Sequence, residues 1–288
     1  MPMSSTSLTL TSMEQQHYRA VDDLLFHSYQ VHTHMDWYEP IEWLQTHDVP
    51  VRLAWQGERL AGILAVSEPL NGASWVRVAA THDHAPSHAV LSALWQGIQP
   101  ELYALNVQNV SLLMTRNWIR PHLRELEFEF IEDVITLQRN GRFLPGATNH
   151  TLRVRSTRPD DLERVTEIDE AAFNPPWQMS YAEIRQAQHI AEISTVAEVE
   201  RQVVAFQIST LYNDGAHLAR LAVDPPYQGQ GIGSALLNDL LGRFSQRHVN
   251  SVTVNTQASN LRSQRLYRGF GFSRNGYDLP VWSIELPR

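Results

Sequence analysis

The 288-residue sequence contains no cysteine and no lysine, so all 23 of its basic residues are arginine. The first absence excludes disulfides, thiolate metal sites and a cysteine nucleophile. The second removes every side-chain amine. Long apolar runs are also missing, and the first residues (MPMSSTSLTLTS) carry neither a basic start nor an apolar core. A membrane span and a secretory leader are therefore not expected, and a cytoplasmic location is. Positive charge is scarce too. The formal net charge of -8 argues against nucleic acid as a partner, because displacing counterions needs a basic face. The deficit is uneven: residues 1–145 hold 16 acidic residues against 9 arginines, and the remainder 15 against 14.

What is present describes a globular chain with room for two ordinary domains. Two blocks of similar element order flank a Gly/Pro-containing stretch, residues 140–146, which is the best linker candidate. In the second block Arg153 to Arg155 begins a strand, and Asp160 and Asp161 stand where helix caps belong. A helix follows with Leu162, Val165, Ile168 and Ala172 on one face, ended by Pro175 and Pro176. A further helix starts near Ser180. Strands then meet at a turn near Glu200-Arg201 and at the hairpin Asn213-Asp214-Gly215. Ile232, Leu236, Leu237, Leu240, Leu241 and Phe244 form a helical apolar stripe, followed by a buried strand near 251–255. The order implies a mixed sheet with helices on its faces. A gapless offset of 142 places Glu58-Arg59 on Glu200-Arg201, Asn71 on Asn213, Ala80 on Ala222 and Ala93-Leu94 on Ala235-Leu236. An internal duplication explains this shared register; two unrelated mixed domains are the alternative.

The chemistry concentrates at Gln228-Gly229-Gln230-Gly231-Ile232-Gly233, between a strand and a helix. Glycines let the chain turn with several N–H groups facing one point, and the helix adds the positive end of its dipole. That is a cradle for a phosphate-bearing ligand. No Lys-Ser/Thr follows as in a P-loop, and no acidic residue on the next strand fits the dinucleotide pattern.

Residues 221–237, LAVDPPYQGQGIGSALL, resemble the acetyl-CoA signature of the GCN5-related N-acetyltransferase (GNAT) superfamily. Asn260-x-x-Ser263-x-x-Leu266-Tyr267-x-x-Gly-Phe-Gly-Phe272 resembles its second signature, 27 residues beyond Gly233. The resemblance covers residues 151–288, which are similar to ribosomal-protein alanine N-acetyltransferases; the tandem arrangement is similar to mycothiol synthase. It implies an α/β (α+β) chain of two tandem GNAT-like domains. Each would have a mixed, mostly antiparallel sheet with a splayed parallel strand pair and helices on both faces. The expected boundaries are a degenerate domain over 1–140 without cofactor, a linker over 141–150 and a catalytic domain over 151–288.

The implied activity is transfer of an acetyl group from acetyl-CoA, used as co-substrate without a metal, to a primary amine by direct attack in a ternary complex. The acceptor is a small-molecule amine or a peptide or protein N-terminus. Main-chain groups of Leu221 and Val223 would pair with the pantetheine arm. The N–H groups of Gln228, Gly229, Gln230, Gly231, Ile232, Gly233 and Ser234 would bind the pyrophosphate. Asn260 and Ser263 would contact the cofactor further along, and Tyr267 would protonate the leaving thiolate. N–H groups at Ala222 and Val223 would steady the oxyanion. The ribosomal-protein branch has a glutamate base where this sequence has Asn255. A second family position for the base falls on His217, read as sharing a strand face with Ala219, Leu221 and Val223. A water held by Asn255 and backbone carbonyls is the other route. A non-catalytic acyl-CoA-binding sensor or scaffold is the competing function.

The first block has Pro86-Ser87-His88-Ala89-Val90-Leu91 at the cradle positions. With the offset moved by one, Asn117 falls on Asn260 and Arg124 on Tyr267. It reads as a domain that has lost cofactor binding, with an acidity that weakly steers cationic amines. His82-Asp83-His84 with His88, and His32-Thr33-His34, read as solvated loops rather than metal ligands. Trp37, Trp43, Trp55 and Trp75 read as core and strand residues.

Overall fold

Strand and helix periodicities along the chain resolve, in a computed structural model describing residues 7–142, 152–213 and 215–287, into two compact units. The linker expected over 141–150 lies outside the described residues except at Gly141 and Arg142. The first unit comprises residues up to 132 together with 279–288, and the second comprises 133–278. This differs from the expected division at 140 and 151. Residues 133–140 belong by pairing to the second unit, and the last strand of the chain belongs to the first. No helix among the described residues is long and apolar enough to cross a membrane.

In chain order the first unit has β1 (Leu8–Thr11), α1 (Tyr18–His27), β2 (Gln30–Thr33), α2 (Pro40–Thr46), β3 (Val51–Gln56), β4 (Arg59–Val66), β5 (Ala73–Thr81), α3 (Ser87–Ala104), β6 (Asn109–Leu113), α4 (Arg120–Glu125) and the start of β7 (Glu129–Asn140). The second has the rest of β7, then β8 (Arg153–Ser156), α5 (Leu162–Ala172), α6 (Tyr181–Ile190), β9 (Ile193–Val199), β10 (Gln202–Tyr212), β11 (Gly215–Val223), α7 (Ile232–Gln246), β12 (Ser251–Gln257), α8 (Leu261–Gly269) and β13 (Ser273–Arg274). The closing strand β14 (Leu279–Glu285) pairs antiparallel with β6.

Within the second unit the strands run β7-β12-β11-β10-β9-β8, all antiparallel except β11 with β12. The apolar stripe of α7 is its core: Leu236, Leu237, Leu240 and Phe244 are fully buried. Leu237, Leu240 and Phe244 pack with Leu218, Val252 and Val254 of the sheet and with Ile135 and Leu137 of β7, while Leu236 packs with Ala197, Val204 and Ala205. Burying side chains of this size stabilises by about 1.5–3 kcal/mol each. On the opposite side α5 and α6 pack on β10 and β11, and Ser180 with Glu183 closes a reciprocal cap at the start of α6. Asp161 does not cap α5 as expected. Its carboxylate turns back to accept from Arg158 N–H and binds Arg155, whose hydrogen bonds hold it below the usual carboxylate range.

The same sheet plan recurs in the first unit, with matching registers. Ser74 faces Val110 in parallel and Ala216 faces Val252, at the offset of 142 in both positions. Each parallel pair lasts three rungs. A bulge follows on the antiparallel side of each. Ile208 pairs with Arg220 and Ser209 with Leu218, leaving Ala219 extra; Ala65 pairs with Val78 and Val66 with Val76, leaving Arg77 extra. Extra residues bend and twist a strand, and here they lie where each parallel pair divides. The offset is not gapless, however. The tight turn at Gly57-Glu58 matches Glu200-Arg201, one residue away from the letter match of Glu58-Arg59, so β3 and β4 follow an offset of 143. Glu200 and Arg201 both take positive φ, 51° and 67°, as a two-residue hairpin turn of the right twist requires.

The two units differ at the fork. In the first, β2 fills it: Gln30 to Thr33 pair with Thr81 to Val78 on the β5 edge beyond the division. Gln30 Oε1 also accepts from Thr81 Oγ1 at 2.7 Å and from Ser87 Oγ in the first turn of α3. His32, expected in a solvated loop, is instead buried within β2 against β5, and His34 just after the strand keeps only 11% of its side chain exposed. Burial pushes their pKa values down to about 3 and about 4.

Because the unfolded chain takes up those protons near the ordinary histidine value of 6.5, stability falls as pH drops from there toward 4. Denaturant titrations across this window should give a slope that is shallower in His34→Gln than in the wild type.

Candidate active site

In the second unit the fork is open to a ligand. Among the described residues β11 pairs with β12 only from Ala216 to Leu218, so its edge from 219 to 223 has a β10 partner on one side alone. Such an edge offers main-chain donors and acceptors to an extended ligand. Leu221 and Val223 turn their side chains toward α7, within 3.7 Å of where a Cβ on Gly233 would lie.

The strand ends at Asp224, pinned by an ion pair with Arg164 of α5, whose Nε donates to Val203 O at 3.1 Å. The chain then turns through 225–231. Gly229 and Gly231 take φ of 83° and 80°, a region closed to most side chains. A Cβ at Gly231 would meet nothing within 4 Å, so the glycine serves conformation and leaves open space above it. Gly231 starts α7 without a side-chain cap. The N–H groups of Ile232, Gly233 and Ser234 thus open a helix whose dipole points positive toward the loop. Gln228 Nε2 donates to Val223 O at 2.9 Å, and Gln228 Oε1 accepts from Arg262 at the start of α8. That guanidinium lies 3.5 Å from a Cβ built on Gly229, so a cation stands beside the cradle.

Asn260 stands at the start of α8. Its Oδ1 accepts from Ser263 N–H at 3.0 Å and caps α8, which leaves its amide N–H groups to face other partners. Tyr267 sits on α8, 5% exposed, in one core cluster with Leu218 and Val254, the last parallel rung. Burial raises its phenol above the ordinary value, with nearby Arg220 opposing in part, so the hydroxyl stays protonated at working pH.

His217 lies one rung from the fork, half-buried, with Nδ1 2.9 Å from Thr253 Oγ1. It does not share a face with Leu221 and Val223. Ala216 and Leu218 face α7 before the bulge, Leu221 and Val223 face it after, and the extra Ala219 inverts the alternation between them. His217 therefore lies on the side of α5 and α6. Asn255 is exposed on β12, just past the last shared rung.

One feature lies beyond the sequence motifs. Arg220 binds Asp169 of α5 through Nε at 2.6 Å and Nη2 at 2.8 Å, and donates to Trp177 O at 2.5 Å. Its guanidinium stacks 3.6 Å from the Phe173 ring centroid, while Asp169 also accepts from Met179 N–H. The pair thereby ties the loop at 173–179 to the strand. Its sequence signal was present: Asp169 is four residues past Val165, on the apolar stripe of α5, where a carboxylate requires a partner.

In the first unit the corresponding positions differ. Arg124, matched to Tyr267, stacks on Trp282 at 5.8 Å, and β2 occupies the β5 edge.

Residues 162–272 match the model of the Acetyltransferase (GNAT) family. Over 130 residues the chain is 31% identical to the ribosomal protein bS18-alanine N-acetyltransferase of Haemophilus ducreyi, covering 43% of this chain and 88% of that protein. The chain belongs to the GNAT acetyltransferase family. It is an acyltransferase, and the observed strand and helix order is the GNAT plan twice over. Two solved structures share the fold along nearly the whole chain. A tandem GNAT protein from the clavulanic acid biosynthesis pathway has a TM-score of 0.67 at 13% identity, covering 98% of this chain and 100% of that one. A GCN5-related N-acetyltransferase from Sphaerobacter thermophilus has 0.62 at 17% identity, covering 96% and 95%.

Asp169→Asn leaves the Arg220 cation buried with a weakened partner and should cost about 3–5 kcal/mol. Urea denaturation measures the loss, and limited proteolysis should cut the variant faster between 173 and 179.

Proposed function

We propose that the second unit is the catalytic half: it binds acetyl-CoA along the open edge of β11 and transfers the acetyl group to a primary amine. The observation that carries this is the continuity of the free β11 edge, the two positive-φ glycines and the uncapped start of α7. An extended amide-bearing arm ending in a pyrophosphate fits that series. Leu221 and Val223 would hold the arm, residues 228–234 with Arg262 the phosphates, and Asn260 the part beyond. Acetyl-CoA supplies the activated acetyl carbon. The Val223 N–H would steady charge on the acyl oxygen. The Ala222 N–H points to β10 instead, in phase with Asp224 N–H, which donates to Val204 O.

The chain's own residues then handle protons. Tyr267, kept protonated by burial, donates at its hydroxyl to the leaving sulfur. His217 takes the proton of the amine. Its Nδ1 lies 2.9 Å from Thr253 Oγ1, which orients the ring on β11, and an imidazole titrates in the range where an amine must lose its proton. Asn255 offers no equivalent. The acceptor class is a primary amine, and likeness to the bS18-alanine N-acetyltransferase favours the α-amino group of a peptide. The first unit binds no acetyl-CoA, since β2 takes the main-chain edge that a second copy of the arm would need.

Calorimetry with acetyl-CoA should give one site per chain. Gly231→Asp should weaken it at least tenfold, because aspartate tolerates positive φ and puts a carboxylate in the cradle. Two sites in the wild type would return cofactor binding to the first unit. With peptide and small amines compared in a free-thiol assay, Tyr267→Phe should lower kcat about 10²–10³-fold. His217→Ala should abolish the rise of kcat/KM with pH on the acid side; an unchanged profile would remove His217 from the reaction.

A further inference from the structure

The first unit has a side-chain cluster at the corresponding end of its fold. In the second unit the starts of α7 and α8 meet where Arg262 reaches Gln228 and Gly229. In the first unit the start of α3 meets α4, and there the pattern brings together His88 with His122 and Glu125. One donor atom from each lies within 4.8 Å of the others. His88, read in the sequence beside His82 and His84, joins residues more than thirty positions away instead.

We propose that His88, His122 and Glu125 form a site for a divalent transition-metal ion, Zn²⁺ foremost, at the degenerate cradle of the first unit. Two imidazoles and a carboxylate are the donor set that zinc takes in sites with three protein ligands and an open fourth position. His122 and Glu125 are three residues apart on α4 and share one face. Glu125 Oε2 lies 2.6 Å from His88 Nδ1 and 3.6 Å from His122 Nδ1. Tetrahedral zinc with bonds of about 2.0–2.1 Å sets donors about 3.3–3.4 Å apart, so the three atoms bracket the required spacing. A second observation points the same way. His122 Nδ1 is buried and makes no hydrogen bond, although the carboxylate lies just beyond hydrogen-bonding length. A buried ring nitrogen facing an acidic oxygen is offered to an ion between them. The rings of His88 and His122 are nearly parallel, 20° apart with centroids 6.2 Å apart. His88 and Glu125 are more than half exposed, which leaves an entry path. The excess of acidic residues over residues 1–145 favours cation binding there.

The ion would clamp the first turn of α3 to α4, at the place where the other unit offers a phosphate cradle. Its ligands are separate from the residues assigned to acetyl transfer, so the site stands or falls apart from that reading.

The test is calorimetric titration of the full-length, chelator-treated protein with Zn²⁺, repeated with Co²⁺ while recording visible absorption. One ion per chain with a micromolar or tighter Kd is expected. His88→Ala and Glu125→Gln, both at exposed positions, should each weaken it at least tenfold and remove the tetrahedral Co²⁺ bands. His84→Ala should bind as the wild type does. Zinc should raise Tm in the wild type and leave it unmoved in His88→Ala, while acetyl-CoA affinity stays equal in the two. Millimolar binding only, or binding unchanged by both His88→Ala and Glu125→Gln, would overturn the proposal. The cluster would then be an ion pair formed when His88 is protonated.

Discussion

The main-chain groups on the diverging edge of a parallel strand pair have to find partners, and this chain meets that demand in two ways. Three rungs hold β5 to β6 and β11 to β12, and an extra residue, Arg77 or Ala219, bends the strand away as each pair divides. In the first unit the demand is met from within by β2, with Gln30 also reaching the first turn of α3. In the second, residues 219–223 keep a β10 partner on one side alone. The same backbone geometry thus gives an internally closed sheet in one half and an open edge in the other. Everything assigned to catalysis follows from that edge staying open.

The clamp between Arg220 and Asp169 serves the open half in turn. A strand with a partner on one side alone is held by its ends and by its side chains. Arg164 with Asp224 fixes the end of β11, and Arg220 fixes its middle to α5 and the loop at 173–179. Both cations are arginines, whose planar fork makes paired bonds that a lysine could not.

How legible was this in the sequence? The glycine loop, the stripe of α7 and the pair of signatures are local patterns, and their elements stand where periodicity put them. The tandem fold was readable because both blocks repeat one register. The bulges were not, since Ala219 and Arg77 carry no turn chemistry and the extra residue is defined only by the partner strand. That hidden residue is why His217 was given the wrong face. The insertion of β2 was equally invisible, because a four-residue strand beside two histidines looks like a loop until its pairing is seen. Asp169 could have been found, as a carboxylate on an apolar stripe. His122 and Glu125 could not have been joined to His88 without the fold. The two units divide at other residues than expected because strand order in space departs from chain order at both ends of the second unit.

That last point bears on how the protein is made. The second unit is one continuous stretch, and the first needs β14 from the final residues to complete its sheet against β6. A chain emerging from the ribosome therefore has the whole second unit in hand while the first still waits for β14. The strand that completes the first unit, Leu279–Glu285, follows the second unit in the chain, so synthesis order and completion order are reversed.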